Sequence, residues 1–412
     1  MKVVQINAVN RFSSTGTNTY ELHRYLTQHG LESYICCTND NNPEDGVFRI
    51  GNRLDYKLHA LLSRITGLQG YFSQKATKTL VNRLETIKPN VVVLGNLHGN
   101  YVNLKILFSY LSQNDVAVVN VLHDCWSFTG HCCHYTKIGC KKWLYHCHDC
   151  PLLREDNVSY VDRSNKIFRD KQRMFHSLKK LGIVGVSNWI KNEAQCSPIF
   201  PKDTQFTTIY NWIDLCVFYP QDKMAARIQL GLDQDSFYAI SVSHQWSDAK
   251  GLTAIIKLAL SAPEVKIILI GKRPESSGLP ENIIFAGVIS DKMFLSLYYS
   301  AADVYLNFSK QETFGKVSAE ALACGLPIIS SNTTASPEVA GDCGVSIDTT
   351  NEDAVLSTFR EFISGKYSFD RNKCRHRAET LFEKNNNLGM YLKFFERMIG
   401  NQKDNGQFAL SH

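Results

Sequence analysis

The sequence predicts an α/β protein in which two doubly wound, parallel-sheet domains follow one another along the chain. Short apolar strands alternate with helical stretches, the pattern of βαβ units, in which the crossover helices run to roughly 10–15 residues. The scheme occurs twice, once on each side of residue 210. In addition, 412 residues are too many for a single compact core and suit two domains of ordinary size.

Five strands and one helix are predicted in the first half. The helix, Asn18–His29, ends before Gly30, a residue type that commonly terminates helices. The strands are Val3–Ile6, Ser33–Cys37, Val91–Leu94, Val116–Leu122 and Ile183–Val186. Because crossovers between parallel strands are right-handed, the loops that follow these strands should lie along one edge of the sheet.

Five further strands are predicted in the second half, again with helices between them. They are Tyr238–Val242, Val265–Ile270, Ile283–Phe285, Val304–Leu306 and Pro327–Ser330. A final helix, Leu388–Met398, could pack on either domain, and the polar residues after Gly400 are predicted to form a frayed tail. Two tandem sheets of this kind place their carboxyl-edge loops across a cleft, where such folds bind ligands.

These elements divide the chain into three segments. Residues 1–210 are expected to form an N-terminal Rossmann-like domain, with a cysteine- and histidine-rich insertion at 123–151. Residues 211–385 are expected to form a C-terminal Rossmann-like domain, and residues 386–412 a C-terminal helix and tail. The linker between the domains is placed at Phe206–Pro220, where the two series of strands meet.

The composition is that of a globular protein, with 44% apolar and 20% charged residues. Met1–Asn7 is a short apolar run that breaks into polar residues, which predicts a first strand and not a signal peptide. No window approaches the roughly 18–20 apolar residues of a membrane span, so we expect a cytoplasmic protein with at most peripheral membrane contact. The net charge of +6 suits a nucleotide diphosphate or an acidic membrane surface and does not indicate nucleic acid.

The most informative segment, Ser309–Pro327, reads SKQETFGKVSAEALACGLP. A helix is predicted to begin near Phe314 and Gly315, and the free N–H groups of its first turn would form an anion site. Glu312 precedes this helix and Glu320 lies about two turns inside it, so the two carboxylates could hold the two ends of an elongated ligand. The alternative interpretation is an amphipathic helix with solvated glutamates.

The segment resembles the E-x7-E signature of retaining GT-B glycosyltransferases of the large family 4, including the Phe-Gly turn and the Gly-Leu-Pro end. The resemblance spans nearly the whole chain and implies the GT-B fold, two Rossmann-like domains that face a central cleft. In that family the first glutamate contacts the donor sugar and the second the ribose. The resemblance therefore implies these roles for Glu312 and Glu320.

Other positions match donor-binding elements of the same family. Lys250, in SDAKGL, corresponds to a lysine that neutralises the donor diphosphate, although a surface lysine at a helix start is the alternative. Gly271 ends the strand that lies under the nucleotide, and the Val288–Ile289 loop would contact the base. Weaker matches are the linker Asn211–Asp214, in which Trp212 replaces the usual glycine, and the late element Ser336–Val339.

One donor-site position departs from the family pattern. His244 stands where many members carry an arginine, and a histidine is a poorer partner for a diphosphate. Gln245, Lys272 or Arg273 could compensate for the missing charge.

In the N-terminal half, two residues follow predicted strands. Gly16 lies in the loop after the first strand, where the family has two or three glycines near the donor phosphate. His123 follows the fourth strand, where the family places a histidine near the reacting sugar. A purely structural histidine is the alternative interpretation.

Six of the 13 cysteines lie from Cys125 to Cys150, and five of the histidines lie nearby, from His123 to His148. Cys147 and Cys150 have the spacing of a zinc-binding turn, and Cys140 plus Cys132 or Cys133 could complete a set of four. The set Cys132, Cys140, Cys147 and Cys150 is the predicted structural zinc site. Free thiols and disulfides are the alternatives. The phrase HDCWSFTG and the later CHDCP resemble the colanic-acid subgroup of family 4, whose reaction requires no cofactor.

A basic stretch follows, from Arg163 to Lys180. It is either a solvated helical face or a surface for anionic lipid head groups or a lipid-diphosphate acceptor.

Taken with the resemblance, these residues predict transfer of a sugar from a nucleotide-diphosphate sugar, with retention, to a glycan or polyprenyl-diphosphate-linked acceptor of bacterial surface polysaccharide. The diphosphate would lie on Lys250 and the amides of Thr313, Phe314 and Gly315, while Glu312 and His123 would hold the transferred sugar. A nucleotide-sugar epimerase or phosphorylase of the same architecture, and a non-catalytic zinc-stabilised binding module, are the alternatives.

Overall fold

Thirteen strands occur in the part of the chain that the computed structural model describes, residues 1–274 and 278–400. The first seven are β1 (Lys2–Ile6), β2 (Glu32–Cys37), β3 (Val47–Arg49), β4 (Val91–Leu94), β5 (Ala117–Leu122), β6 (Leu181–Gly185) and β7 (Gln205–Thr208). The other six are β8 (Tyr238–Gln245), β9 (Lys266–Lys272), β10 (Ile283–Gly287), β11 (Val304–Asn307), β12 (Ile328–Ser331) and β13 (Gly344–Ile347).

Fourteen α-helices accompany these strands within the same residues. Those before β8 are α1 (Ser13–Gln28), α2 (Arg53–Thr66), α3 (Gln74–Ile87), α4 (Leu104–Gln113), α5 (Ser164–His176), α6 (Asn188–Gln195) and α7 (Lys223–Leu230). Those after β8 are α8 (Leu252–Ser261), α9 (Lys292–Ala301), α10 (Lys316–Ala323), α11 (Ser336–Ala340), α12 (Glu352–Ile363), α13 (Arg371–Phe382) and α14 (Lys384–Met398). None of these helices is both long and apolar enough to cross a bilayer.

The strands form two sheets in which every pair is parallel. The first sheet has the order β3-β2-β1-β4-β5-β6-β7, and the second has the order β10-β9-β8-β11-β12-β13. Each sheet has one switch point, at which the strand order reverses: it lies between β1 and β4 in the first sheet and between β8 and β11 in the second. Central strands such as β4 and β5 are buried along their whole length, because helices cover both faces. The predicted fold class, two Rossmann-like α/β domains, is confirmed.

Three strands were missed by the sequence analysis, and all three lie at sheet edges. They are β3, β7 and β13. An edge strand is paired on one side only and tolerates polar residues, as in the Gln-Phe-Thr-Thr of β7. The predicted linker start at Phe206 is therefore wrong, since Phe206 belongs to β7 and pairs with Ile183 of β6.

The final helix, α14, returns to the first sheet. The chain crosses back beside the linker, where the Ile213 N–H donates to the Phe382 carbonyl at 2.8 Å. Phe394 and Met398 of α14 then pack directly over Gly182 in β6. The helix begins at Lys384, four residues earlier than predicted, and by its packing it belongs to the N-terminal half. The predicted tail after residue 400 lies outside the described residues.

We expect Gly182→Ala to destabilise the protein by roughly 1–3 kcal/mol, the usual cost of overpacking a core. A Cβ atom at this position would lie 2.7 Å from the Phe394 ring and 3.0 Å from the Met398 sulfur. Urea unfolding measures the effect.

The matched control is Gly389→Ala, because this α14 glycine meets only the Tyr25 hydroxyl, at 3.2 Å. Alanine there should be neutral or should stabilise the helix by about 0.5–1 kcal/mol. Equal effects of the two substitutions would show that α14 does not pack on β6.

Candidate active site

Two charged side chains meet at the switch point of the second sheet. Lys250 follows β8 and Glu312 follows β11, and these strands are neighbours whose connections run in opposite directions. The Lys250 Nζ lies 2.6 Å from the Glu312 Oε1, so the two half-buried side chains form an ion pair. Carboxyl-edge loops at a switch point are the usual ligand site of such sheets.

The loop that carries Glu312 is held by the connection after β12. The Glu312 N–H donates to Thr334 Oγ1 at 3.0 Å, and the Glu312 carbonyl accepts from the Ala335 N–H at 3.1 Å. Beside it, Lys310 pairs with Asp248 of the β8 loop at 2.7 Å. These contacts keep the carboxylate of the ion pair in one position.

The N-terminus of α10 opens into the same space. The helix begins at Lys316, one residue later than predicted, after Gly315 turns the backbone with a φ of +85°, which favours glycine. No acidic residue occupies its first turn. The first N–H groups of a helix lack partners within it, and together with the helix dipole they favour an anion.

A cleft of about 520 Å³ collects residues of both domains around the ion pair. The N-terminal side contributes Ser14, Thr15 and His123, and the linker contributes Asn211. The C-terminal side contributes Ser241, Val242, Ser243, His244, Gln245, Lys250, Tyr305, Asn307, Phe308, Ser309, Glu312, Thr313, Phe314, Gly315, Lys316 and Val317. The volume falls in the range of roughly 300–1,000 Å³ that is usual for small-molecule sites.

The structure brings most of the predicted site residues together in this cleft. Those that line it are His123, His244, Lys250, Glu312, Thr313, Phe314 and Gly315. The predicted residues outside its lining are Gly16, Gly271, Ile289 and Glu320.

Gly16 lies in the first turn of α1, whereas the sequence analysis placed it in a loop. The helix start was missed because Phe12, the residue before it, provides no side-chain cap. A Cβ atom at Gly16 would lie 3.2 Å from backbone atoms of Asn10 and Arg11, so glycine lets α1 pack closely on the preceding loop. Its neighbour Thr15 faces the cleft.

Gly271 is required by the contact between β8 and β9. Its φ is +136°, and a Cβ atom would lie 1.7 Å from the carbonyl oxygen of Ser243. Ile289 follows β10, the strand at the edge of the sheet, and is half-buried. Neither position contradicts or supports contact with a nucleotide base, which stays a prediction.

Glu320 lies one turn inside α10, whereas about two turns were predicted, and it does not line the cleft. The Tyr299 hydroxyl donates to its Oε2 at 3.3 Å. Burial raises the pKa of Glu320 to about 7, and the ammonium groups of Lys316 and Lys292 oppose this shift. The carboxyl group therefore exchanges its proton near neutral pH.

His123 stands on the opposite wall, directly after β5. Its carbonyl accepts from the Thr313 Oγ1 at 2.9 Å, which joins the two domains. Burial lowers the pKa of the imidazole to about 4; Asp124 opposes the shift and Lys316 adds to it. The imidazole is therefore neutral at physiological pH and can both donate and accept a hydrogen bond.

Lys316 was not predicted as a site residue, yet it lines the cleft. Its Nζ donates to Asn18 Oδ1 of the N-terminal domain at 3.2 Å. Of the residues expected to replace the missing arginine, Gln245 lines the cleft, whereas Lys272 and Arg273 do not. The one signal for Lys316 in the sequence is its place directly after the Phe-Gly turn, at the helix start.

Glu338 joins the two domains in a way that the sequence did not indicate. Its carboxylate accepts from the backbone N–H groups of Asn188 and Trp189 at 2.6 and 2.9 Å, at the N-terminus of α6. It also accepts from the Tyr210 hydroxyl at 2.8 Å. A carboxylate is favoured there by the helix dipole.

Among the described residues, no three of the sulfurs of the four predicted zinc ligands lie within 4.8 Å of one another; the group that does come this close is His98, Asp124 and Cys133. Burial raises the pKa of Cys132, and the nearby thiols of Cys150 and Cys147 raise it further. Burial likewise raises the pKa of Cys147 to about 12 and that of Cys150 to about 11, and Cys140 adds to both shifts. Cys132 is buried and the other three are half-buried, and zinc binding by this set stays a prediction.

The basic stretch that follows is not a uniform cationic face. Lys171 is 2% exposed, because α5 directs it inward, where its Nζ lies 3.2 Å from the centre of the Trp126 ring. Lys166 and Arg173 pair with the buried Asp170, at 3.1 and 2.6 Å. Lys171 therefore belongs to neither a solvated face nor a lipid-facing surface, the two interpretations given for the stretch.

We expect Glu320→Gln to remove a pH dependence of folding stability. Because the pKa of Glu320 is about 7 in the folded state and about 4.5 otherwise, ionisation disfavours the fold. The free energy of unfolding should therefore fall as the pH rises from 4.5 to 7, by about 1–3 kcal/mol in the wild type relative to the variant. Urea unfolding across this pH window is the measurement. The exposed Glu264→Gln serves as control, and a wild-type slope that the Glu320 variant retains would contradict the assignment.

Comparison with known proteins agrees with this geometry. Residues 222–380 match the family model described as glycosyl transferases group 1. The chain is 22% identical over 420 residues to the colanic acid biosynthesis glycosyl transferase WcaC of Escherichia coli, covering 97% of this chain and 100% of that protein. It is 28% identical over 187 residues to a GDP-mannose-dependent phosphatidylinositol dimannoside mannosyltransferase of Mycobacterium tuberculosis, covering 43% and 48% of the two chains.

Solved structures match over nearly the whole chain. A glycosyltransferase of Rickettsia africae superposes with a TM-score of 0.70 at 14% identity, covering 97% of this chain and 99% of that one. HepE of Anabaena, solved in complex with UDP, superposes with a TM-score of 0.67 at 15% identity, covering 96% and 100%. The resemblance seen in the sequence is thereby confirmed as far as the glycosyltransferase group 1 domain, which residues 222–380 match, and the two-domain GT-B fold of the chain.

Proposed function

We propose that this enzyme transfers a sugar, with retention of anomeric configuration, from a nucleoside-diphosphate sugar to a glycan or polyprenyl-diphosphate-linked acceptor of bacterial surface polysaccharide. The observation that carries the proposal is the Lys250–Glu312 ion pair beside the N-terminus of α10, inside a cleft between two domains. The similarity to WcaC, named for colanic acid biosynthesis, supports the polysaccharide pathway.

Structural neighbours support a nucleotide donor. HepE was solved with UDP and with UDP-glucose, and the pneumococcal O-GlcNAc transferase GtfA with UDP and GlcNAc. In this protein, the diphosphate would lie over the N–H groups at the start of α10, within reach of the Lys250 ammonium. Lys316 at the same helix start supplies a second positive charge, which offsets the histidine at position 244.

The ion pair itself suits a donor that carries negative charge. Without a ligand, the Lys250 ammonium is neutralised by Glu312 at 2.6 Å. A diphosphate competes for that ammonium, which leaves the Glu312 carboxylate free to accept hydrogen bonds from hydroxyl groups of the transferred sugar. Negative charge then develops on the leaving diphosphate, where donors held in place in advance are most effective.

The carboxylates of the cleft are compatible with the retention that the family resemblance implies. Among the described residues that line it, Glu312 is the one carboxylate, and it is bound to Lys250. The cleft therefore lacks the two flanking carboxylates of a glycosidase. Front-face transfer, in which an oxygen of the leaving phosphate takes the proton of the acceptor hydroxyl, requires no second carboxylate. The neutral imidazole of His123 is suited to orient the sugar or the acceptor.

A surface of the N-terminal domain supports contact with a membrane. On α2, the apolar residues that point outward are each more than half exposed: Leu54, Leu58, Leu61 and Ile65. Their spacing places them in one stripe along the helix. The buried residues of α2 are instead His59 and Ser63.

Basic residues flank this stripe. Arg53, Lys57 and Arg64 are exposed on the same helix. The neighbouring segment is joined to α2 because the Tyr160 N–H donates to the Arg64 carbonyl at 2.8 Å, and the Tyr160 ring and the Arg163 side chain are also exposed. Apolar side chains amid cations suit the interface of an anionic bilayer. The lipid contact is therefore proposed for α2 and the start of α5, where a lipid-linked acceptor would be presented.

We expect Lys250→Ala to weaken nucleoside diphosphate affinity by roughly 10- to 100-fold, as loss of a charge-assisted hydrogen bond does. Isothermal titration of the purified protein with UDP, GDP and ADP identifies the base and measures the loss. The matched control is Lys310→Ala, in the same pair of loops but paired with Asp248, which should bind as the wild type does.

Failure of all three nucleotides to bind the wild type would overturn the proposed donor site. Consumption of a nucleotide sugar in the absence of any acceptor, with release of free nucleotide, would instead favour the epimerase. Glu312→Gln should lower the transfer rate far more than nucleotide affinity, since its carboxylate is assigned to the sugar.

We expect the double variant Leu58→Glu and Leu61→Glu to reduce co-sedimentation with phosphatidylglycerol vesicles by roughly 10-fold, because two exposed leucines that would enter the bilayer are replaced by carboxylates that the anionic lipid repels. The control is Leu260→Glu, an exposed apolar residue on α8 of the other domain. If the double variant and the Leu260→Glu control bind the vesicles equally well, the proposed membrane contact of α2 is wrong.

A further inference from the structure

A groove of about 290 Å³ lies in the N-terminal domain, between the start of α2 and one face of α3, at the carboxyl ends of β2 and β3. We call it the α2–α3 groove. Among the described residues, it shares no lining side chain with the donor cleft. Its volume is at the lower end of the range of roughly 300–1,000 Å³ that is usual for small-molecule sites, so it has room for a compact polar group.

Three cations from two elements line the α2–α3 groove. Arg49 ends β3, and Lys75 and Arg83 belong to α3. Residues four positions apart lie along one face of a helix, so Lys75, Thr79 and Arg83 form a single row on α3, and all three line the groove. The fold therefore brings two positively charged side chains of one helix face together with a third from the neighbouring strand.

The positive charge of the groove is not balanced by its own lining. Asp55 is the one carboxylate among the described lining residues, so the lining carries a net charge of +2. The Asp55 Oδ2 accepts from the Asn52 N–H at 2.9 Å and closes the capping box of α2. None of the three cations forms an ion pair with another described residue, and Asp40 and Asp45, in the connection from β2 to β3, pair instead with Arg11 at 3.5 and 3.1 Å.

The guanidinium group of Arg83 is held in place by an aromatic ring. Its central carbon lies 3.8 Å from the centre of the Phe48 ring. This stacking restricts the guanidinium plane and leaves its N–H groups free to donate at the edge, the geometry in which arginine binds phosphate oxygens in a bidentate manner. The groove is therefore suited to an anion with several phosphate oxygens.

The α2–α3 groove adjoins the proposed membrane surface of α2. Asn52 and Asp55, at the start of α2, form one wall of the groove. Leu54, the first residue of the exposed apolar stripe, stands between them in the chain and is 73% exposed. A lipid whose chain lies along the stripe would place its polar head beside the three cations, because head groups lie at the boundary of the apolar layer.

The same edge of the sheet leads to the donor cleft. β2 alone separates β3 from β1, so these two strands lie about 10 Å apart. The loop after β1 leads to Ser14 and Thr15, which line the cleft. A glycan joined to a head group in the groove could therefore extend along this edge toward the transferred sugar.

We propose that the α2–α3 groove binds the diphosphate of a lipid-linked acceptor through Arg49, Lys75 and Arg83, while the lipid chain lies along the apolar stripe of α2. This inference rests on the proposed function, because it assigns a place to the acceptor of that reaction. Binding involves no covalent step: the diphosphate oxygens accept charge-assisted hydrogen bonds from two guanidinium groups and one ammonium group.

The test is co-sedimentation of the full chain, without a donor, with two kinds of phosphatidylcholine vesicle. One kind contains undecaprenyl diphosphate, and the other contains phosphatidylglycerol at the same total charge. The wild type should bind the diphosphate vesicles roughly 10-fold more tightly, since three cations converge on one head group. Arg49→Ala and Lys75→Ala should each remove most of this difference.

The matched control is Lys78→Ala, an exposed cation on α3 that does not line the groove, and it should bind both kinds of vesicle as the wild type does. Arg49 and Lys75 are exposed, so their alanine variants should keep the melting temperature of the wild type. Arg49→Lys keeps the charge but not the bidentate geometry and should restore part of the preference.

Three outcomes would overturn the assignment. Equal binding of the two kinds of vesicle by the wild type would show attraction by charge alone. An equal loss in Lys78→Ala would show that the groove has no special role. Inorganic pyrophosphate that binds the wild type as tightly as the lipid would show a site for a free diphosphate, with no contribution from α2.

Titration of the same proteins with UDP, GDP and ADP separates this inference from the proposed function. Arg49→Ala and Lys75→Ala should bind nucleotide as the wild type does, because the donor cleft has other lining residues. A wild type that binds nucleotide but does not distinguish the vesicles would refute the groove and leave the donor site standing. A wild type that distinguishes the vesicles but binds no nucleotide would refute the proposed donor site and leave the lipid site standing.

Discussion

The carboxylate of Glu338 holds the two domains in one relative position. It extends from α11 of the C-terminal domain to the free N–H groups that begin α6, where the helix dipole favours its charge, and it is completed by the Tyr210 hydroxyl. The geometry of the cleft depends on this relative position, because the cleft walls come from different domains. A shift at α6 would move His123 away from the Lys250–Glu312 pair.

Further hydrogen bonds between the domains support the same relative position and are distributed around the cleft. Thr313 donates to the His123 carbonyl, and Lys316 donates to Asn18. Beside the linker, Glu21 accepts hydrogen bonds from the Trp212 indole and from Lys384. Trp212, which stands where the family usually has a glycine, thus has a structural role. Most of the residues proposed to bind the donor follow strands of the C-terminal sheet, while the N-terminal domain supplies the opposite wall of the cleft.

The N-terminal domain carries two features that the donor half lacks. One is the apolar, basic surface of α2, and the other is the cysteine-rich segment that packs beneath the cleft wall. The first is the proposed membrane contact, and the second joins the end of β5, with His123 on the cleft wall, to α5.

The sequence by itself determined the alternation of strands and helices, the duplication, the two glutamates around α10 and the position of Lys250 directly after a strand. These follow from local patterns, because apolar periodicity defines the strands and the loops after neighbouring strands must meet at one edge. The tertiary structure decided which faces are buried. The leucines of α2 point to solvent, Lys171 of a charged helix points inward, the polar edge strand β7 joins the sheet, and Glu338 finds its partners 150 residues away. None of these is encoded in a local window, since amphipathic spacing describes two faces of a helix but not which of them a distant part of the chain will cover.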